Sequence, residues 1–506
     1  MKVLEDLVAP AVVADLVSRL ISFLMARYVK RACREGASSS HRLELLALKI
    51  HAVVDEAEGR HLAHNRRLLL WLSKLMEGMY RAYYVLDVAA HPADDHGGCE
   101  LVSSSWSSSS SRLTLPAKRL RTAAAGTPTG YDGGDDHHLS AMLARLEEAA
   151  VGMKEFILVL ACCPRIVRPP VVSNFSSDDK FMFGRLVERE QMITFLLQPE
   201  SNLRVLPVVG GPEVGKGTIV KHVCSDERVR NHFSLILYSY GSLLEENWGE
   251  DVLGTLHGGG HVLHESPSVS GHGRHLLVIK NTYQVVINDA AWVQLCTSLR
   301  SSTAPGSKII VISENDRVAD LGTVAAMRVK PLPREEYWYF FRSLSLGGKD
   351  PGQHQELAAL GRQIAEALHG SFFGAKVLGG LLRMNLNAQF WRAALNAVQS
   401  FHATLGEDDD HFSKLGVAKI ALMTLPVPLR LKSSCQTDVA SGLAGVTLQQ
   451  LLHCPSVPQR KEMRVVLWES AYPPNYRYTV VCEKVERRPC VGLERKRRTR
   501  EQQIDQ

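Results

Sequence analysis

The stretch VVGGPEVGKGTIV, Val208 to Val220, constrains this chain more than any other feature. Gly210 to Lys216 fits the spacing G-x-x-x-x-G-K, with an apolar run before it and a helical stretch after it. Such a loop works between a strand and a helix. Its backbone N–H groups and those of the helix N-terminus point at phosphate oxygens, and glycines let the backbone come close. Lys216 adds a point charge toward the β- and γ-phosphates. The alternative is a Gly-rich turn without a ligand. The surroundings favour a parallel α/β sheet covered on both faces. LRVLPVV (203–209), FSLILYS (233–239), HLLVI (275–279) and SKIIVIS (307–313) are short apolar runs with helical stretches between them.

The same region departs from a magnesium-dependent site. The residue after the loop lysine usually carries the hydroxyl that holds Mg2+. Here it is Gly217, and Thr218 lies about 100° further round the helix. HLLVI should end in an acid, but Lys280 and Asn281 follow it. Asp289 reads as the cap of the helix DAAWVQLCTSL. Glu314 closes SKIIVIS, where a sensor side chain would face the γ-phosphate, and Arg317 is nearby. The Mg2+ and γ-phosphate positions are therefore degenerate. The cradle of Gly210, Gly211, Gly215, Lys216, Gly217 and Thr218 needs only backbone and one lysine. The expectation is a site that holds ADP or ATP, with doubtful need for Mg2+ and weak or absent turnover. No catalytic residue and no metal ligand is assigned, since nothing brings a nucleophile and a base together.

A chain of 506 residues exceeds one hydrophobic core. Four apolar stripes at three-and-four spacing fill the first 165 residues: Leu4–Leu24, Leu43–Ala57, Leu68–Leu86 and Leu143–Leu160. They predict a four-helix bundle over 1–165, interrupted by a Ser/Gly/Pro-rich disordered loop at about 95–138. A linker (166–180) leads to the P-loop α/β nucleotide-binding domain (181–330). A helical subdomain follows (331–402), then a small, poorly patterned C-terminal part (403–506). There RVVLW and YRYTVVCEKV are candidate strands across ESAYPPN. No fixed-period repeat is visible. The predicted class is multidomain α and α/β.

Together these residues resemble the NB-ARC domain of plant disease-resistance proteins. FGRLVERE, the glycine loop, HLLVI, GSKIIVIS and HGSFFGAKVLGGLLR come in that family's order. The N-terminal helices, with LLWLSKLMEGMYRAYYVLD, resemble its Rx-type coiled-coil bundle, and the detailed pattern is similar to a divergent grass group. The resemblance covers about residues 1 to 400 and implies an intracellular immune protein that switches between ADP and ATP. It implies Phe183, Gly184 and Arg185 near the adenine and ribose, and Gly210, Gly211, Gly215 and Lys216 along the phosphates. It implies partners among other immune receptors or signalling proteins, met through the bundle, with self-association as a further possibility. The implied place is the cytoplasm, with the nucleus or a membrane periphery as alternatives. The departures are Lys280–Asn281 for two acids, Glu314 for a sensor arginine, GSFFG (370–374) without its proline, and no Met-His-Asp triplet or leucine-rich repeat in 400–506. A competing reading is a nucleotide-free pseudo-NTPase module that pairs with complete receptors. A third is an active ATPase that uses Asp289 or a residue supplied in trans.

The remaining signals read blandly. The formal charge of +6 equals the contribution of Lys484 to Arg500, so no nucleic-acid surface is indicated. ERKRRTRE (494–501) reads as a solvated tail before a nuclear signal. Ten scattered cysteines without C-x-x-C suit a reducing compartment. No transmembrane run and no signal-peptide core is apparent. GDDHH (134–138), HGGGH (257–261) and EDDDH (407–411) lack tetrahedral ligand spacing and read as exposed loops. On the third helix, with Glu77, Tyr80, Tyr83, Tyr84 and Asp87, the resemblance implies an acidic motif that docks on the nucleotide-binding domain; the spacing favours the alternative that Met79, Tyr83 and Leu86 are core and Glu77 and Asp87 solvated.

Overall fold

The computed structural model describes residues 39–58, 60, 62, 65–89, 134–164, 183–241, 252–266, 273–281, 289–347, 349, 353–403, 413–427, 429–438, 445–453, 462–470, 472–474 and 476–484. The chain is helical with one mixed α/β sheet and a smaller antiparallel-rich sheet.

Three helices, α1 (Ser39–Glu58), α2 (Arg66–Ala89) and α3 (Gly134–Val151), pack with a short α4 (Met153–Ala161) around one core. Leu43, Ile50, Leu72, Leu75, Met79 and Leu146 are buried there, each drawn from a predicted stripe. The stripe Leu4–Leu24, the linker 166–180 and residues 95–133 lie outside the described residues. Two expectations are corrected. Residues 134–138 belong to the backbone of α3, so GDDHH starts a helix instead of ending a loop. The fourth stripe is split at Gly152, where the Trp71 ring occupies the space a side chain would need.

Helix α5 (Leu186–Leu197) leads to the sheet of β1 (Arg204–Val209), β2 (Leu235–Tyr240), β3 (His261–Glu265), β4 (His275–Lys280), β5 (Lys308–Ser313) and β6 (Met327–Arg328). The order is β3–β2–β4–β5–β1–β6, parallel except where β3 pairs with β2. Alternate residues face opposite layers, which is why the strands read as continuous apolar runs. Leu206 and Val208 meet α6 (Lys216–Cys224) through Ile219 and Val220. Val205 and Val209 meet α9 (Asp289–Ser302) through Leu295 and Leu299, after α7 (Glu227–His232) and α8 (Val252–Gly259). HGGGH is no loop: it spans the end of α8 and the start of β3. In register, Val208 and Lys280 both stand opposite Ile312, so the loops after β1, β4 and β5 open at one edge.

Helices α10 (Arg334–Leu346), α11 (Gln355–Ala367), α12 (Phe372–Met384), α13 (Ala388–His402) and α14 (Lys414–Thr424) form the next core. The part read as poorly patterned, 403–506, contains more regular structure among its described residues than the two candidate strands. Here α14 is followed by β7 (Leu429–Asp438), β8 (Val446–Thr447), α15 (Leu448–His453), β9 (Glu462–Glu469) and β10 (Tyr476–Lys484). The sheet order is β7–β10–β9–β8, and β9 and β10 are the expected strands. Val465, Leu467, Tyr478 and Val480 share the core of Leu378, Val417 and Ile420. The buried positions are few and spread over short strands, such as Val465 and Leu467 in β9 and Tyr478 and Val480 in β10, so the run is weakly apolar on its own.

The bundle docks on α10. Asp87 accepts a hydrogen bond from Trp338 Nε1 (2.8 Å) and pairs with Arg342 (2.7 Å), its side chain only 12% exposed. Tyr80 and Tyr83 pack on Tyr339, and Tyr80 also meets Phe183. The expectation of a solvated Asp87 is therefore corrected, because burial against α10 needs residues about 250 positions away. Glu77 stays half exposed and pairs only locally, with Arg81. Asp87→Ala leaves Arg342 without its partner at this seam and should weaken docking by about 2 kcal/mol. Faster hydrogen exchange confined to α2 and α10 is the expected readout; unchanged exchange would refute it.

Candidate functional site

The expected loop occupies the edge where β1 ends. Gly215 has φ of 91°, a left-handed conformation that favours glycine, and caps α6. A Cβ on Gly210 would lie 2.2 Å from the carbonyl oxygen of Val329. Lys216 is buried. Its ammonium donates to the carbonyls of Gly210 (2.9 Å) and Gly211 (2.5 Å) and lies 4.0 Å from Glu314. Burial lowers its pKa and Glu314 opposes that. The strand, glycine loop and helix are thus a P-loop in form.

A cavity opens above the loop. From the predicted set it is lined by Phe183, Arg185, Gly215, Lys216, Gly217, Thr218, Lys280, Asn281 and Glu314. Gly210 and Gly211 stand behind, engaged by Lys216. Thr218 is exposed at its rim, and a Cβ on Gly217 would meet nothing within 4 Å. Arg185 is buried and clamps the loop from outside. It donates to the carbonyls of Val214 (3.2 Å) and Lys330 (2.5 Å), pairs with Glu188 and lies 5.7 Å over the Phe372 ring. Its Nε meets no acceptor among the described residues. Asp289 and Arg317 are exposed and do not line this cavity, which removes the support for an ATPase built on Asp289.

Glu213 was not foreseen. It has φ of 56° within the loop and sends its carboxylate to the Ser371 hydroxyl, while its carbonyl accepts from Phe372 N (3.2 Å). Ser371 in turn caps α12 by accepting from Gly374 N (2.9 Å). The GSFFG segment therefore touches the loop through a serine cap and two phenylalanines, Phe372 and Phe373, that line the cavity. Burial pushes Glu213 up to about 7, against the Ser371 hydrogen bond and the Lys414 charge.

Residues of α6, α14 and the β9–β10 turn close the far side. Lys221 donates to the Pro474 carbonyl (3.0 Å) and Ser470 Oγ (3.3 Å) and sits 4.3 Å over the Tyr476 ring. Lys414 lies over the rings of Tyr478, Phe373 and Tyr476. Neither lysine carries a sequence signal, since each depends on a hairpin docked from far along the chain.

The donors do not fit magnesium. Gly217 has no hydroxyl, an ammonium stands at 280, and Glu213 is held by Ser371. Among the described residues no group of three His, Cys, Asp or Glu could hold a metal ion.

No model of a known protein family matches the chain. An RPP13-like disease resistance protein of Arabidopsis thaliana is 26% identical over 384 residues, covering 70% of this chain and 34% of that protein. Disease resistance protein RGA2 of Solanum bulbocastanum is 23% identical over 404 residues, covering 76% of this chain and 38% of its own.

The chain is similar to plant disease resistance proteins.

It spans between a third and two fifths of the length of these relatives. Among solved structures, a chain from Drosophila ORC bound to DNA overlaps with a TM-score of 0.27 at 14% identity, over 51% of this chain and 69% of that one, too little to carry an argument. Among the described residues, no helix is long and apolar enough to cross a membrane.

Proposed function

We propose that this chain is an NB-ARC protein of plant defence that holds an adenine nucleotide, ADP, as a switch or scaffold. The observation that carries the reading is the P-loop at the carboxyl edge of a parallel sheet, opening into a cavity with Lys216 at its floor and Arg185 at its side. Phosphates would lie on the backbone N–H groups that begin α6. In this reading Gly210, Gly211, Gly215, Lys216, Gly217 and Thr218 form the cradle. Phe183 and Phe372 offer apolar faces for the base. Turnover is weak or absent, because charge neutralisation by a metal is a large share of phosphoryl-transfer catalysis and the donors for it are missing. The bundle, of Rx type and of the divergent grass kind, would meet other immune receptors or signalling proteins in the cytoplasm.

The test is to denature the purified chain and identify what it releases. ADP at close to one equivalent is expected. Lys216→Ala should retain at most about a tenth of it, since a charge-assisted contact is worth roughly 1.5–3 kcal/mol.

A second reading, a nucleotide-free module that pairs with complete receptors, draws on Lys216 folding back on its own loop carbonyls. Recovery of no nucleotide, with no thermal shift on adding ADP, would select it.

A further inference from the structure

The cavity above the P-loop is unbalanced in charge. Lys216, Lys221, Lys280, Lys376, Lys414 and Arg185 line it against the carboxylates of Glu213 and Glu314. Gathering like charges in a partly dehydrated space costs free energy unless an opposite charge joins them. Arg185 and Lys221 are committed to backbone carbonyls, as Lys216 is in this state. Lys280 and Lys414 stand apart from these. They come from the end of β4 and the first turn of α14, and the fold brings them to one cavity. Burial lowers Lys280 to about 8, and the Lys414 and Lys216 charges push the same way while Glu314 opposes. Lys414 is likewise lowered by burial, with Glu213 and Glu314 opposing. The pair thus behaves as charge awaiting a counter-ion, at the very edge where a metal-dependent site would place an acid.

We propose that the pocket takes its nucleotide as the metal-free polyphosphate anion, with Lys280 and Lys414 neutralising the charge that a magnesium ion neutralises elsewhere. This rests on the nucleotide-holding reading above and adds the form of the ligand to it. A magnesium complex would bring a divalent cation toward these ammonium groups and cancel the phosphate charge they need. The free diphosphate offers three negative charges to the same groups without competition.

The test uses the full chain stripped of nucleotide. ADP and inorganic tripolyphosphate are titrated separately in EDTA and in millimolar Mg2+. Both should bind in EDTA, and Mg2+ should leave ADP affinity unchanged or lower it. Lys280→Gln and Lys414→Gln should each weaken ADP binding in EDTA by about tenfold, and Lys280→Arg should largely restore it. The Lys414 variant stands in if the Lys280 variant does not fold. Binding that requires Mg2+, or is tenfold tighter in it, overturns the proposal and leaves the nucleotide reading intact. So does unchanged affinity in EDTA for whichever Gln variants fold. Binding of no nucleotide under either condition overturns both.

Discussion

Lys280→Asp combined with Gly217→Thr is expected to make ADP binding depend on Mg2+. Each change addresses one missing donor. At 217 a side chain meets open space, since no atom lies within 4 Å of a Cβ there. Thr in place of Gly within a helix also gains a few tenths of a kcal/mol. At 280 the backbone is fixed on both sides, by β2 and β5, so an aspartate would keep the register of β4. Reversing the charge at 280 alone should reduce ADP affinity in EDTA by about a hundredfold, since an attraction becomes a repulsion in a partly dehydrated cavity. Added Mg2+ should recover little of this in Lys280→Asp and most of it in the double variant. Gly217→Thr alone should leave binding in EDTA within about twofold, because the hydroxyl then has no acidic partner. Isothermal titration of ADP with and without Mg2+ separates these outcomes. A double variant whose ADP affinity does not respond to Mg2+ would show that these two positions are not enough to hold a metal, with Glu314 the next residue to change.

How much of this was legible follows from the range of each interaction. The P-loop, its strand and its helix are encoded within one continuous run, residues 204–224, and the strands β1, β2, β4 and β5 are each short apolar runs buried on both faces. Such signals need no partner to be read. Gly217, Lys280 and Glu314 were legible as departures because the register of a parallel sheet fixes which strand ends meet. The cavity wall was not. Lys221 reads as an ordinary helix lysine in the sequence, and its hydrogen bonds go to the β9–β10 turn about 250 residues on. Lys414 opens a helix whose apolar face is completed by α13 and β7, so the run from 414 to 438 reads as nothing in isolation. Asp87 shows the same limit. An acid on an exposed face of α2 is indistinguishable from a solvated one until Trp338 and Arg342 arrive.

Those long-range contacts have a consequence for pH. Burial pushes Glu213 and Glu336 up to about 7, well above the usual 4.5. Burial pulls Lys221 down to about 7 and Lys280 to about 8, from 10.5. For the two acids the folded chain binds more protons than the unfolded one between pH 4.5 and about 7. Stability therefore falls as pH rises across that window. For the two lysines the unfolded chain binds more protons between about 7 and 10.5, so stability rises there. The chain without ligand should be least stable near neutral pH, where both kinds of buried group are being asked to carry charge. Glu213→Gln removes one acid while keeping an acceptor for Ser371. Its melting temperature should match the natural chain at pH 5 and exceed it at pH 8, by a gain on the order of 1–2 kcal/mol after allowing for partial exposure. Equal melting at both values would mean that the Ser371 hydrogen bond already holds the Glu213 carboxylate ionised. Saturating ADP in EDTA should raise the curve most near neutral pH, because the phosphates supply the counter-charge that Lys280 and Lys414 lack. A uniform rise across pH would instead place the phosphates away from those two lysines.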